Sequence, residues 1–273
     1  MKLNAKWTSY PYVIWMLLFT IIPLFLIGYF AFTNVEGSFT LGNVEQAIKY
    51  IPALVKSISL AAIATVLCLV LAYPFAFAMS RLSFERQKMM SMLIMLPMWM
   101  NFLLRTYAWQ AILEDNGVIN TILTSIGLSS VKLINTSGAV VMGMVYNYIP
   151  YMILPIYSVL AKIDNSVIEA AQDLGANDAK VFLKVVLPMS MSGVISGITM
   201  VFVPAVSTFI ISKMLGGGGN LLIGDLIDMQ FLGSAYNPNL GSAISLLMMI
   251  LILVCMFIMN NMGSEEEMEG MLV

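Results

Sequence analysis

EAAQDLGANDAKVFLKVVLP, residues 169–188, is a polar stretch with helical periodicity that ends in Leu-Pro. It stands in a chain that is 60% hydrophobic and only 10% charged. Soluble domains carry about 25% charged residues, so this chain has too few charges to coat a globule. Its apolar runs reach the ~18 residues that mark membrane spans. The polar stretch must therefore be a loop between spans, and the spans on either side fix its place.

Hydropathy predicts six spans within one transmembrane domain covering 1–273, at about 12–32, 57–80, 90–109, 138–160, 189–212 and 241–262. The first apolar run follows Lys2 and Lys6. It is longer than the ~7–15 residues of a signal-peptide core and no A-x-A site follows, so it reads as a retained span. Eight basic residues (Lys2, Lys6, Arg81, Arg86, Lys88, Lys162, Lys180, Lys184) fall on one side of the membrane and five (Lys49, Lys56, Arg105, Lys132, Lys213) on the other. The excess of positive charge predicts that both termini and the loops 81–89 and 161–188 are cytoplasmic. The acidic tail 263–273 reads as a solvated, disordered end.

Proline interrupts five of the six spans, at Pro23, Pro74, Pro97, Pro150 with Pro155, and Pro204. Each removes a helical hydrogen bond, and neighbouring helices or a wet cavity must satisfy the freed carbonyl. That pattern suits a transporter bundle better than a passive anchor. Gly193 and Gly197, beside Ser192 and Ser196, put small residues on one face of span five and predict close helix packing there.

The composition also excludes function classes. Histidine is absent and the only cysteines, Cys68 and Cys255, lie in apolar runs, so neither a His/Cys metal site nor a Ser-His-Asp triad is available. A net charge of −2 with no basic stripe excludes nucleic acid as a partner. There is no G-x-x-x-x-G-K-[ST] loop, and the glycine run at 215–224 lacks the Lys-Ser/Thr that would make it one. The chain carries no enzyme motif or cofactor site. Ion-coupled carriers keep ionisable groups inside their spans, whereas here the span centres hold none and Arg105 lies toward one end of span three. Uphill transport would need an engine on another subunit.

The polar stretch supplies a place for one. Ser166-x-x-Glu169 has the form of a capping box, and Val167, Ala170, Ala171 and Leu174 recur at helical spacing as an apolar stripe. Gly175 is placed to end that helix in the left-handed conformation. Asn177 then caps a second short helix that stops before Pro188. Helices that lie on lipid favour Lys and Arg on their polar face. Here Glu169, Asp173 and Asp178 would be repelled by anionic headgroups, so a protein groove is the better partner.

EAA, three residues, Gly175, nine residues and then V-x-L-P resembles the cytoplasmic loop of the binding-protein-dependent ABC importer permeases, with Val185 standing where that family usually has isoleucine. The resemblance implies an all-α integral membrane protein of the type I ABC importer permease architecture, six transmembrane helices with a cytoplasmic coupling-helix loop. It implies that Glu169, Ala170, Ala171, Asp173, Leu174, Gly175, Leu187 and Pro188 couple the chain to a separate cytoplasmic ABC ATPase dimer that holds ATP and Mg. It further implies a second permease subunit, an extracytoplasmic substrate-binding protein and a place in the bacterial inner membrane. LAYPFAFAMSRL, LIMLPMWMNFLLRTYAW, YNYIPYMILPIYSVLAKID and GGGGNLLIGDLIDMQFL are similar to the polyamine (spermidine/putrescine) branch of that family, from about residue 8 to 262. Relatives with other small solutes share these motifs, and a self-sufficient carrier or channel is the alternative reading.

A polyamine is a flexible multi-cation, so its path calls for carboxylates and aromatic faces, each cation–π contact contributing about 0.5–2 kcal/mol. The candidates are Asp225 and Asp228, three residues apart, with Glu114 and Asp115, and the rings of Tyr107, Trp109, Tyr146, Tyr148 and Tyr151. Tyr and Trp also form the aromatic belts common to membrane proteins, and the sequence leaves both roles open for these rings.

Overall fold

The computed structural model describes residues 5–233 and 235–271. Lys2, counted in the charge asymmetry, and the last two residues of the acidic tail lie outside them. The described residues are overwhelmingly helical, with one isolated bridge between Thr33 and Phe39 among them. In chain order the helices are α1 (Ala5–Met16), α2 (Ile22–Ala31), α3 (Gly42–Ile48), α4 (Ile51–Ser80), α5 (Phe84–Trp99), α6 (Phe102–Leu113), α7 (Val118–Ser125), α8 (Ser137–Leu160), α9 (Asn165–Asp173), α10 (Asp178–Val181), α11 (Leu187–Met189), α12 (Met191–Val206), α13 (Ile223–Phe231) and α14 (Pro238–Met271). π turns at Leu17–Ile21 and Phe182–Val186 carry α1 into α2 and α10 into α11.

Four helical runs are long and apolar enough to cross a membrane: Tyr10–Ala31, Ile51–Ser80, Ser137–Leu160 and Pro238–Met259. They match the expected first, second, fourth and sixth spans. The third and fifth are not the straight helices that hydropathy predicts. Phe84–Trp99 and Phe102–Ser125 meet at 84°, and Asp178–Met189 and Met191–Val206 meet at 63°; counting each bent pair as one span gives six.

The cause of the first bend is local. Met100 and Asn101 are extended, and the Asn101 side chain accepts from the Leu103 and Leu104 N–H groups, starting α6 afresh. A good N-cap prevails over helix continuation four residues after Pro97, where the chain is already short of a donor. Hydropathy, which sums over such breaks, is blind to both. The acidic stretch expected as a disordered end is instead taken into α14, which runs to Met271.

The described chain divides into two compact units. In the first, residues 1–54 and 226–251, two asparagines stitch the chain after α2. Asn43 donates to the Ala31 and Thr33 carbonyls, and Asn239 donates to those of Phe30 and Thr33.

The second unit, 55–225 with 252–273, is organised on α8. One apolar cluster packs Leu60 and Ala64 of α4 and Ile211, Leu215 and Leu222 against Val140 and Met144 at the start of α8. A second packs Ala72 and Ala76 of α4, Val194 and Val201 of α12, and the loop residues Ile163, Val181 and Val186 against Met152, Ile156 and Leu160 at its end. Lipid tails are as apolar as leucine, so within the bilayer close approach holds helices together. Gly193 and Gly197 supply it as expected. A Cβ at Gly193 would lie 2.9 Å from the Pro155 carbonyl oxygen, and one at Gly197 would lie 2.7 Å from the Met152 sulfur.

Candidate functional site

Residues 161–190 form the helix pair that the sequence predicts, with three differences. The first is the cap. Asp164, not Ser166, begins α9, its carboxylate accepting from the Ser166 N–H at 3.0 Å. A carboxylate is the stronger acceptor and also favours the positive end of the helix dipole, so it displaces the hydroxyl two residues on. Those same hydrogen bonds, first from the Ser166 backbone N–H and then from its hydroxyl, hold the exposed Asp164 carboxyl below its ordinary pKa.

The second difference is which residues turn inward. Ile168 and Ala171 pack toward the second apolar cluster. Val167 stays exposed, and Leu174 is 90% exposed at the end of α9. Glu169, Ala170, Asp173 and Gly175 are exposed with it. The stripe read from the sequence is thus split. Part of it anchors the helix, and Leu174 stands out from the surface on a helix whose carboxylates Glu169 and Asp173 are also exposed.

The turn itself is as expected. Gly175 has φ +85°. Its N–H donates to the Gln172 carbonyl and that of Ala176 to the Ala171 carbonyl. Together these are the two closing bonds of a Schellman motif. A Cβ at Gly175 would meet nothing within 4 Å, so the demand for glycine there is conformational and not steric. Asn177 caps α10 by accepting from the Lys180 N–H, and Gln172 donates across the turn to Asp178.

The third difference lies at the far end. The second helix does not stop before Pro188. It passes through Leu187 and Pro188 to Met189 and bends at Ser190. The Phe182–Val186 π turn, closed by the Leu187 N–H on the Phe182 carbonyl, widens the backbone just where the proline ring would strike the preceding turn. Leu187 is half-buried and Pro188 exposed.

The substrate-path candidates fare differently. Trp109 and Tyr146 come together edge to face with centroids 5.3 Å apart. Trp109 and Tyr148 pack against the first apolar cluster, and the Tyr148 hydroxyl donates to the Pro204 carbonyl. Tyr107 and Tyr151 are exposed. Asp225 is not an open cation-attracting group. It is 3% exposed, and its carboxylate accepts from the Leu222 N–H at 2.7 Å, the return half of a capping box at the start of α13. The adjoining Ile223 N–H is taken by the Ser57 hydroxyl. Asp228 is half-buried on the same helix.

Arg105, expected near one end of a straight span, is buried in the turned helix α6, over the ring of Phe102, with two of its guanidinium nitrogens lacking hydrogen-bond partners. Sequence reasoning also missed Asn220 in the glycine run. Its side chain accepts from Lys56 and Ser137 and donates to the Asn135 and Gly216 carbonyls, pinning that run to α4 and α8.

Comparison with known proteins agrees with this geometry. The chain is 37% identical over 254 residues to the spermidine/putrescine transport system permease protein PotB of Haemophilus influenzae, covering 89% of this chain and 88% of that one. It is 36% identical over 246 residues to the PotB of Escherichia coli K12, covering 86% and 89%. In structure it is similar to a bacterial ABC transporter involved in import of the acidic polysaccharide alginate, with a TM-score of 0.81 at 16% identity over 95% of this chain and 94% of that one. The model of the binding-protein-dependent transport system inner membrane component family matches residues 3–263. The chain therefore belongs to that family, as a multi-pass membrane permease subunit of an ABC importer.

Proposed function

We propose that this chain forms half of the pathway by which an ATP-driven importer moves polyamines, spermidine or putrescine, into a bacterial cell. Six spans are half of the usual twelve, so a second permease subunit completes the pathway. The N- and C-termini and residues 161–188 face the cytoplasm, where the loop seats in a cleft of a dimeric ATPase that binds ATP and Mg. A substrate-binding protein on the other side delivers the cargo. The chain itself performs no covalent chemistry.

The observation that carries this reading is the ridge Glu169–Gly175, with Leu174 held out 90% exposed by a helix whose two ends are closed by Asp164 and Gly175. A large apolar side chain held rigidly on a polar turn suits a partner's pocket, where such anchors dominate affinity. The rim carboxylates Glu169 and Asp173 favour basic residues around that pocket. Rocking of the ATPase halves would push on this ridge and tilt the spans that follow it. The polyamine assignment rests on the two relatives of 36% and 37% identity over most of the chain.

Uptake of radiolabelled spermidine by cells lacking this gene, and then regaining it, tests the cargo. Restored uptake is expected, and no difference between the two strains removes polyamines. Transport by the purified chain alone in liposomes, with no ATPase present, would instead establish a self-sufficient carrier.

A further inference from the structure

Tyr73 and Phe77 of α4, four residues apart, share one helix face, and Arg81 follows four residues on, in the turn just past the helix end. Each grips a different part of the 161–190 segment. The Tyr73 hydroxyl lies 2.7 Å from that of Ser190, at the 63° bend between the loop's second helix and α12. Phe77 meets Phe182 edge to face at 6.0 Å, and Phe182 meets Tyr73 in the same way at 5.6 Å. The Arg81 guanidinium sits over the Phe77 ring and donates to the Asn165 side chain at 2.6 Å, in the first turn of α9.

We infer that this face of α4 is the element that converts displacement of the loop into movement of the membrane spans, with the Tyr73–Ser190 pair as its pivot. The inference deepens the coupling-loop reading and rests on it. Ser190 is 0% exposed and Tyr73 8%, so their hydrogen bond has no water to replace it. The Ser190 hydroxyl donates its one proton to the Leu187 carbonyl, which makes Tyr73 the donor to Ser190. Tyr73 directly precedes Pro74 inside α4. The bond thus joins the residue before a helix proline to the 63° bend of the loop's second helix. The grip on Asn165 differs in kind. It is a single hydrogen bond at the surface, and the second terminal nitrogen of Arg81 is buried without a hydrogen-bond partner. A cleft of about 570 Å³ remains between this arginine and Gln172 and Asp178 on the loop. The bend is therefore fastened by a buried hydrogen bond. The first loop helix is held by the packing of Ile168 and Ala171 and one hydrogen bond at its start, so that a push on the loop turns about the bend. Tyr73, Phe77 and Arg81 are positioning residues and none is required to touch cargo or nucleotide.

The test uses the whole importer in proteoliposomes, this chain with its permease partner, ATPase and binding protein. It measures co-purification of the ATPase, ATP hydrolysis, and spermidine moved per ATP. Tyr73→Phe keeps the ring and removes only the hydroxyl. That variant and Ser190→Ala should each keep ATPase association and hydrolysis within about twofold, while spermidine per ATP falls about fivefold, the effect of losing one net hydrogen bond. The double variant should be no worse than either single, because both remove one interaction. Spermidine per ATP at the parent level, additive losses in the double variant, or loss of ATPase association would each overturn the inference. Should the Ser190 variant fail to assemble, Arg81→Gln gives the same readout at the exposed grip. A fall in spermidine per ATP, partly restored in Arg81→Lys, is expected; an unchanged ratio overturns the proposal. Failure of the coupling-loop reading itself would look different, since Gly175→Val would then leave ATPase association intact.

Discussion

The 161–190 segment and the segment leading into α13 are both polar stretches attached to membrane helices, and they spend their polar groups in opposite ways. In the first, the fold consumes only what it needs. Asp164, Gly175 and Asn177 close helix ends, Ile168 and Ala171 anchor, and Glu169, Asp173 and Leu174 remain exposed. In the second, the fold consumes the candidate itself, because Asp225 is buried capping its own helix while Ser57 and Asn220 tie the neighbouring backbone. A residue type suited to a ligand is available to that ligand only where local structure has no prior claim on it.

The comparison can be broken most decisively at Gly175. A β-branched residue forced into the left-handed region costs roughly 1–2 kcal/mol, and nothing nearby would clash to unfold the rest. Gly175→Val should lower the melting temperature of the purified permease by only about 2–8 °C while ATPase co-purification and spermidine uptake fall at least about tenfold. Wild-type uptake in that variant would remove the loop from the mechanism.

Asp225 sharpens the other side. Removing the cap in Asp225→Ala should cost about 1 kcal/mol, a drop of about 2–4 °C in melting temperature. Asp225→Asn, which keeps an acceptor for the Leu222 N–H, should retain most of the stability and the uptake. If the Asn variant melts normally yet loses uptake, the carboxylate charge acts on the cargo after all.

The smallest effect separates the two rival caps of α9. Asp164→Ala should speed amide exchange at Ser166 and Val167, whereas Ser166→Ala should not, and uptake should stay within about twofold in both. The same cap gives a pH dependence. The Asp164 carboxyl is held below its ordinary value by the Ser166 N–H, so its contribution is present above the unfolded-chain pKa and disappears as pH falls through the lower native one. Exchange at Ser166 should therefore rise on acidification in the parent and stay flat in Asp164→Ala, once the intrinsic pH effect is removed.

Much of the loop was legible because its signals are local. Gly175 and Asn177 could be placed from one or two turns of sequence, since a left-handed cap or a side-chain N-cap involves residues within about four positions. Ser166 was misread because two acceptors two residues apart compete, and their relative strengths decide. The candidate path was less legible. Trp109 and Tyr146 are brought together by helices some forty residues apart in the chain, and Asp225 looks the same in sequence whether it faces a channel or its own backbone.

By itself the sequence determined the membrane class, the six apolar stretches, the polar helix pair and the glycine between its halves, because transfer free energy and helical periodicity act on short windows. Only the tertiary structure decided that spans three and five bend and that Pro188 lies within a helix. It alone set Tyr73, Phe77 and Arg81 against Ser190, Phe182 and Asn165. Those outcomes depend on which groups, distant in the chain, arrive to satisfy a freed carbonyl or a buried hydroxyl, and no window of sequence contains both partners.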